Sequence, residues 1–230
     1  HSNQTLAEAL NNSCNPCFTD IALSLGTETF YDYLELFGFG KVTGIDFSGE
    51  AQGMLLTESA VRACDLARIG FGQTVAVTAI QLACAAASAV NGGYYYRPRL
   101  VQSVSSADGS VTEEISPVLV NRTVSEQTSE LLASLLEGVV SNGSGSRAYI
   151  EGYKVAGKTG TAQKFEDGVI AQGKYVSSFL GFFPADDPQY LALVIVDEPV
   201  GAYYGSIVAA PAAREIFEGI IEVKGIEPYE

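Results

Sequence analysis

The apolar residues of the chain follow two patterns that change over near residue 150. Across 1–150 they recur mostly three and four positions apart, the period of a helix with one buried face, whereas much of 151–230 has the continuous apolar runs of buried strands. Thr5-Leu-Ala-Glu8 has the form of a capping box, and Leu6, Ala9 and Leu10 follow at helical spacing. A short helix is therefore predicted up to Asn11-Asn12-Ser13. Pro16 disfavours helix at Asn15 but suits the first turn of a new helix, which carries Phe18, Ile21, Ala22 and Leu25 on one side and stops at Gly26. A third helix runs from Thr29 to Phe37 and ends in Gly38-Phe-Gly40. Lys41 to Gly53 reads as loop, Glu58 to Ala67 as helix and Phe71-Gly72-Gln73 as a turn. Ala79 to Val90, opening near Thr78, is apolar almost all round and is predicted to be the central core helix.

Leu100 to Val104 and Val111 to Ile115 flank Ala107-Asp108-Gly109, a hairpin with an Asp-Gly turn. Thr123-Val-Ser-Glu126 repeats the capping-box form and opens a helix to about Val140, with Leu131, Leu132, Leu135 and Leu136 inward. Ser141 to Ser146 reads as a connection. Glu166-Asp167-Gly168 is turn chemistry. Tyr175 to Phe183 and Tyr190 to Val196 are strand-like, and the five residues from Pro184 to Pro188 that join them are too few for a parallel crossover. Ile207 to Val223 returns to helical spacing, with Pro211 in an early turn. Helices, three antiparallel strands and a terminal helix make an α+β plan, an antiparallel sheet packed with helices.

Length and composition set bounds on this plan. With 230 residues and 47% hydrophobic content the chain can bury a real core, as one large domain or two small ones. Thirteen basic against 27 acidic residues give a net charge of −14, which speaks against nucleic acid or an anionic membrane surface as the main partner. No apolar run reaches the ~18 residues of a membrane span, and the N-terminus lacks the basic and apolar regions of a signal peptide. With no Met at position 1, a targeting segment is expected to lie outside these residues.

Cys14, Cys17, Cys64 and Cys84 are too few for a disulfide scaffold. Cys14-Asn-Pro-Cys17 has the spacing of zinc or redox sites. A structural zinc needs four ligands, and the chain has no second close cysteine pair and no histidine but His1. All four are expected to be small buried thiols, and no metal or cofactor is expected. Asn-x-Ser/Thr occurs at Asn3, Asn11, Asn121 and Asn142, a pattern short enough to arise by chance.

The chemistry concentrates in Val155-Ala-Gly-Lys158-Thr-Gly-Thr-Ala-Gln-Lys164, where one lysine stands among small and hydroxyl-bearing residues beside backbone that another chain can approach closely. Two readings compete. Gly152 to Thr159 satisfies G-x-x-x-x-G-K-[ST], and Asp197 after an apolar run could serve a magnesium site. A phosphate loop must open a helix, however, and Gly160 and the turn at 166–168 follow instead. The other reading is Lys-Thr-Gly on a strand, a signature of penicillin-binding proteins and serine β-lactamases.

With Ser13-x-Asn15 in a helical turn and Lys158-Thr159-Gly160 on a strand, the chain resembles the transpeptidase domain of class B penicillin-binding proteins, of the sporulation and division type, over nearly its whole length. The likeness extends to Gly44-Ile-Asp-Phe-Ser-Gly-Glu50, Phe71-Gly72-Gln73, Thr78-Ala-Ile-Gln81, Pro184-Ala-Asp-Asp-Pro188 and Val208-Ala-Ala-Pro211. It implies the penicillin-binding/serine β-lactamase-like fold and a peptidoglycan D,D-transpeptidase working through an acyl-serine on D-Ala-D-Ala stem peptides. It also implies β-lactams as trapped mimics and cell-wall synthesis machinery as partners. The place of action would be the extracytoplasmic face of the membrane, with an N-terminal anchor outside this chain.

The resemblance further implies site roles. Ser13 relays a proton, Asn15 donates to the substrate amide and holds a nearby lysine, and Lys158 binds the terminal carboxylate. Thr159 or Thr161 adds a hydroxyl to that carboxylate, Gly160 lets the substrate lie along the strand edge, and Gln163 closes the substrate-binding set. Thr161 supplies one oxyanion-hole N–H, a donor whose loss typically raises the barrier by about 3 to 4 kcal/mol.

One departure stands against this. The family's Ser-x-x-Lys, with nucleophile and base, occurs nowhere in the 230 residues, the nearest form being Thr161-Ala-Gln-Lys164. The expectation is a chain lacking its first strands and nucleophile helix, inactive alone and with an apolar sheet edge exposed. A non-catalytic cell-wall or divisome binding relative is the main alternative. A serine β-lactamase would need a deacylating base that cannot be named here. Oxidation of Cys14, between two site residues, is a candidate gate.

Overall fold

The computed structural model describes residues 3–166 and 169–229. The predicted turn at 166–168 falls at Asp167 and Gly168, and the terminal His1 at the chain start, both outside the described residues.

Helix α1, Leu6–Asn11, opens on the predicted capping box, with Thr5 and Glu8 each satisfying the other's backbone N–H. It closes by a Schellman motif. The Cys14 N–H donates to Ala9 O at 2.9 Å and the Ser13 N–H to Leu10 O at 3.1 Å, which puts Ser13 at the left-handed position with φ of 50°. Glycine is the usual residue there because a Cβ crowds the backbone. Helix α2, Asn15–Leu25, starts at once with Pro16 in its first turn and stops at Gly26 as expected. Its apolar face is only partly covered: Ala22 is buried, whereas Ile21 and Leu25 are 40% and 46% exposed. Helix α3 occupies Thr27–Leu36.

The predicted helix from Glu58 to Ala67 is two pieces, a 3-10 turn at Glu58–Ala60 and α4 at Ala63–Gly70. The break comes at Arg62, extended at ψ 163°, whose guanidinium and backbone N–H both bond Asp65 in the new first turn. Helix α5, Ala79–Val90, begins at the Thr78/Gln81 capping box. It is not buried all round. Gln81, Ala85, Ser88 and Val90 are buried and its other flanks are half-buried or exposed. The buried Gln81 amide instead anchors the glycine-rich loop, donating to Lys41 O at 2.6 Å and Gln52 O at 2.9 Å. In the same loop Glu50 accepts from Thr43 and Gly44, and Asp46 accepts from the Leu100 and Val101 N–H groups.

A two-stranded ribbon that no sequence pattern announced pairs β1, Tyr94–Tyr96, with β4, Leu119–Arg122. The predicted Asp-Gly hairpin is present between them as β2, Ser103–Ser105, and β3, Val111–Glu114. Helix α6, Glu126–Ser141, is capped by Ser125, whose hydroxyl accepts from the Thr128 N–H. Thr123 is not the cap because the ribbon uses it: its hydroxyl is buried between Ser88 Oγ and Gly93 O. Leu136 and Val139 face inward, but Leu131 is 59% exposed.

The main sheet is antiparallel in the order β5-β6-β7, with β5 at Ala156–Glu166, β6 at Val169–Phe183 and β7 at Tyr190–Asp197. Both faces are covered. On one side Leu136 and Val139 of α6 pack with Ala156 and Phe182. On the other Phe179 and Phe183 pack with Ala213 and Phe217 of the terminal helix. The predicted single helix from Ile207 is split into α7, Gly205–Val208, and α8, Ala210–Lys224, because Pro211 cannot donate to the turn before it. Among the described residues the outer edges of β5 and β7 have no strand partner. Beside β7 lies an apolar recess of about 360 Å³ lined by Tyr190, Ile216, Ile220 and Val223.

The strain at Ser13 is separable from its hydroxyl. Ser13→Gly and Ser13→Ala both remove the hydroxyl, but only glycine is at ease in the left-handed region. In chemical denaturation the glycine variant is expected to be more stable than the alanine variant by about 1 kcal/mol. Equal stability would show that the turn relaxes out of the left-handed region.

Candidate active site

Ser13 and Lys158, 145 positions apart, meet directly: Lys158 Nζ donates to Ser13 Oγ. The α1–α2 turn presents the serine and β5 presents the lysine. Lys158 Nζ also donates to Thr159 O at 3.0 Å. Burial drives its ammonium down to about 8 from an ordinary 10.5. The chain carries an excess of acids, yet among the described residues no carboxylate pairs with Lys158. The neighbouring lysine on the strand, Lys164, takes Asp197 at 3.0 Å and Glu198 at 2.8 Å. A cation desolvated beside hydroxyls and free of carboxylates suits an incoming anion.

The other predicted residues divide. Thr159 Oγ1 lies 3.3 Å from Ser144 Oγ, and the Ser144 N–H donates to Asn11 O at 3.1 Å. The Ser141–Ser146 connection is therefore part of the site, and its density of hydroxyl and glycine residues was the available signal. Thr161 Oγ1 accepts from the Gly205 N–H at 3.0 Å, which leaves the hydroxyl proton free to donate outward. Asn15 makes no hydrogen bond to Lys158. It is exposed, and among the described residues its amide has no hydrogen-bond partner. Gln163 is likewise exposed.

Glycine at 160 has a packing reason beyond any substrate: a Cβ there would stand 2.5 Å from Ser178 Oγ on β6. A Cβ on Gly205 would stand 2.3 Å from both Gly160 O and Ser178 O. Strand β5, strand β6 and the start of α7 thus meet backbone to backbone at the lysine strand. The loop before Gly205 adds an aromatic row, Tyr175 stacked on Tyr203 at 4.1 Å and Tyr203 tilted on Tyr204 at 4.5 Å. Its signal was the Tyr203-Tyr204 pair. A cavity of about 590 Å³ lined by Asp32, Glu35, Lys41, Tyr95 and Asn121 contains none of these site residues.

Lys158 and Thr159 lie inside a strand and not at a helix start, in agreement with the rejection of the phosphate-loop alternative. One expectation fails here. The cysteines are not uniformly buried, since Cys64 is exposed and Cys17 and Cys84 are half-buried, with only Cys14 enclosed.

Comparison with known proteins gives the family of the chain. The profile of the family described as "Penicillin binding protein transpeptidase domain" matches residues 1–218. Stage V sporulation protein D of Bacillus subtilis is 40% identical over 230 residues, covering 99% of this chain and 36% of that protein. Peptidoglycan D,D-transpeptidase FtsI of Escherichia coli is 31% identical over 230 residues, covering 99% of this chain and 37% of that protein. The apo crystal structure of penicillin-binding protein 3 from Mycobacterium tuberculosis superposes with a TM-score of 0.89 at 29% identity, covering 98% of this chain and 53% of that one. The chain therefore spans about a third of the length of these curated relatives. With two motifs distant in sequence joined at one lysine, on a sheet shared with those structures, the chain belongs to the penicillin-binding protein transpeptidase domain family.

Proposed function

We propose that this chain is the portion of a peptidoglycan D,D-transpeptidase that binds the D-Ala-D-Ala end of a stem peptide and relays protons for its acyl transfer. The observation that carries the reading is the Lys158–Ser13 contact beside the unpaired edge of β5. A peptide adding to that edge as a strand would run past Thr159, Gly160 and Thr161, with its terminal carboxylate at Lys158 and the Thr159 or Thr161 hydroxyl. Ser13, hydrogen-bonded to the lysine, would pass a proton between the reacting serine's neighbourhood and the leaving D-alanine. Asn15 and Gln163, exposed and with no side-chain hydrogen-bond partner among the described residues, would meet the peptide directly. β-Lactams would occupy the same place as acylating mimics. The reading implies action outside the cytoplasm with cell-wall synthesis partners. Among the described residues no helix is long and apolar enough to cross a membrane.

Two measurements test this reading. Incubation of the full-length gene product with benzylpenicillin is expected to add one penicillin by intact mass, and the 230 residues alone, which contain no Ser-x-x-Lys, are expected to add none. No adduct on the full-length product would leave a non-catalytic binder.

The second is a pH profile. Carboxylate binding needs the Lys158 ammonium, whose folded value is about 8. Acylation efficiency is therefore expected to fall as pH rises through about 8, roughly tenfold per unit beyond it. Stability should move the opposite way. The unfolded lysine keeps its proton up to its ordinary 10.5, so the unfolded state binds more protons between those values and folding stability rises with pH across that window. A descending limb placed near 10 would mean that burial does not depress Lys158 in the active protein.

A further inference from the structure

The cavity of about 590 Å³ takes no part in the acyl-transfer site. It lies between the later turns of α3, the loop from Gly38 to Thr43 and the β1–β4 ribbon, and the exposed Asp32 and Glu35 stand at its mouth. A cross-strand pair makes its inner wall. Tyr95 on β1 stands opposite Asn121 on β4, so the two side chains are neighbours on one face of the ribbon.

Both bring polar atoms that the fold does not pair. Tyr95 is only 4% exposed, yet among the described residues its hydroxyl makes no hydrogen bond. That hydroxyl lies over Gly38, where a Cβ would stand 2.5 Å from Tyr95 Oη, and Gly38 lines the same cavity. Burial pushes the phenol up to about 12, so it stays neutral and keeps a proton to donate and lone pairs to accept. The Asn121 amide is fixed in orientation. Its Nδ2 donates to Leu36 O at 3.0 Å, and turning it over would set Oδ1 against that carbonyl, so the atom left enclosed without a partner is an acceptor.

The charges decide the sign of the ligand. Among the described residues Lys41 is the one cation lining the cavity, and it is already paired with Glu35. Asp32 has no ion pair among the described residues. The cavity therefore holds a surplus of acceptors: an uncompensated carboxylate, an unpaired amide oxygen and a phenol that can accept. An anion would find one neutral donor and a repelling carboxylate, whereas a cation with several N–H groups suits all three. Leu36, Val42 and Val120 supply apolar wall for a short alkyl chain.

We infer that this cavity is a binding site for a primary alkylammonium group, which donates to Tyr95 Oη and toward Asn121 Oδ1, lays its chain along Leu36, Val42 and Val120, and lies in the field of Asp32. Because the mouth is open, the ammonium keeps part of its hydration and the cost of burying a charge is limited. Nothing in this inference rests on the transpeptidase reading.

The test titrates the full-length gene product with n-butylammonium chloride at constant ionic strength, following the ligand by saturation-transfer NMR. A parallel titration uses n-butanol, which has the same chain and no charge. The ammonium is expected to bind saturably and about tenfold or more tighter than the alcohol. Binding should weaken about tenfold in Tyr95→Phe, which loses a buried hydrogen bond to a charged group, and about two- to fivefold in Asp32→Asn, which loses an exposed charge. Tyr95→Phe leaves every charge in place, so its loss separates the cavity from general attraction to a chain of net charge −14. A melting temperature like that of the unmutated protein shows that this variant is folded. If it is not, Asp32→Asn, a substitution at an exposed position, reads the site alone. Unchanged affinity in folded Tyr95→Phe, unchanged affinity in Asp32→Asn, equal binding of the alcohol, or no saturable binding of the ammonium would each overturn the site.

Discussion

The C-terminal half of strand β6 is covered on both faces, and the position of the site follows from that. Phe179 and Phe183 fill the core toward α8, and Phe182, between them in the alternation, fills it toward α6. A slip of one residue would turn each of these rings to the wrong side, so the register of β6 against its neighbours is strongly determined. Because Lys158 is paired opposite Leu180 and Gly160 opposite Ser178, the same burial fixes how far along the sheet the lysine stands. Helix α6 then ties α1 to that sheet, with Leu10 in the cluster that holds Leu136, Ala156 and Phe182. The serine at the end of α1 is thereby carried to the lysine on β5.

The electrostatics of the site depend on where the acids are not. A buried ammonium without a carboxylate is unfavourable to the fold, and the depressed value of Lys158 expresses that. The strand relieves its other lysine instead, through Asp197 and Glu198, and both of those side chains are substantially exposed. Lys158 keeps only Ser13 and a backbone carbonyl. A carboxylate placed beside it would stabilise the folded chain but occupy the position that an anionic substrate needs.

A similar tension runs through the α1–α2 turn. A glycine at position 13 would be at ease in the left-handed backbone, but it has no hydroxyl to meet Lys158. The turn therefore holds some strain at the residue whose side chain is used. Next to it, a thiol stands at a helix start where Ser, Thr, Asn or Asp would cap better. Both of these departures lie in the turn that carries Ser13, while the caps at Thr5, Thr78 and Ser125 follow the ordinary rules.

The sequence by itself determined the elements whose causes are local. The capping boxes at Thr5 and Thr78, the Pro16 start, the Gly26 stop, the Asp-Gly hairpin and the short antiparallel link at 184–188 are each set by residues within a few positions of one another. The α+β plan was legible for that reason, whereas Ser13 and Lys158 were singled out by the family resemblance of the motifs that carry them. Tertiary structure decided what depends on distant partners. Thr123 lost its capping role because the β1–β4 ribbon, too short to announce itself, claimed its hydroxyl. Leu131 faces solvent and α5 buries one stripe because coverage depends on which neighbour arrives, and periodicity carries no record of that. Ser144 and Gly205 entered the site through contacts 15 and 44 positions away, since spacing fixes the face of an element but not the distance between two elements.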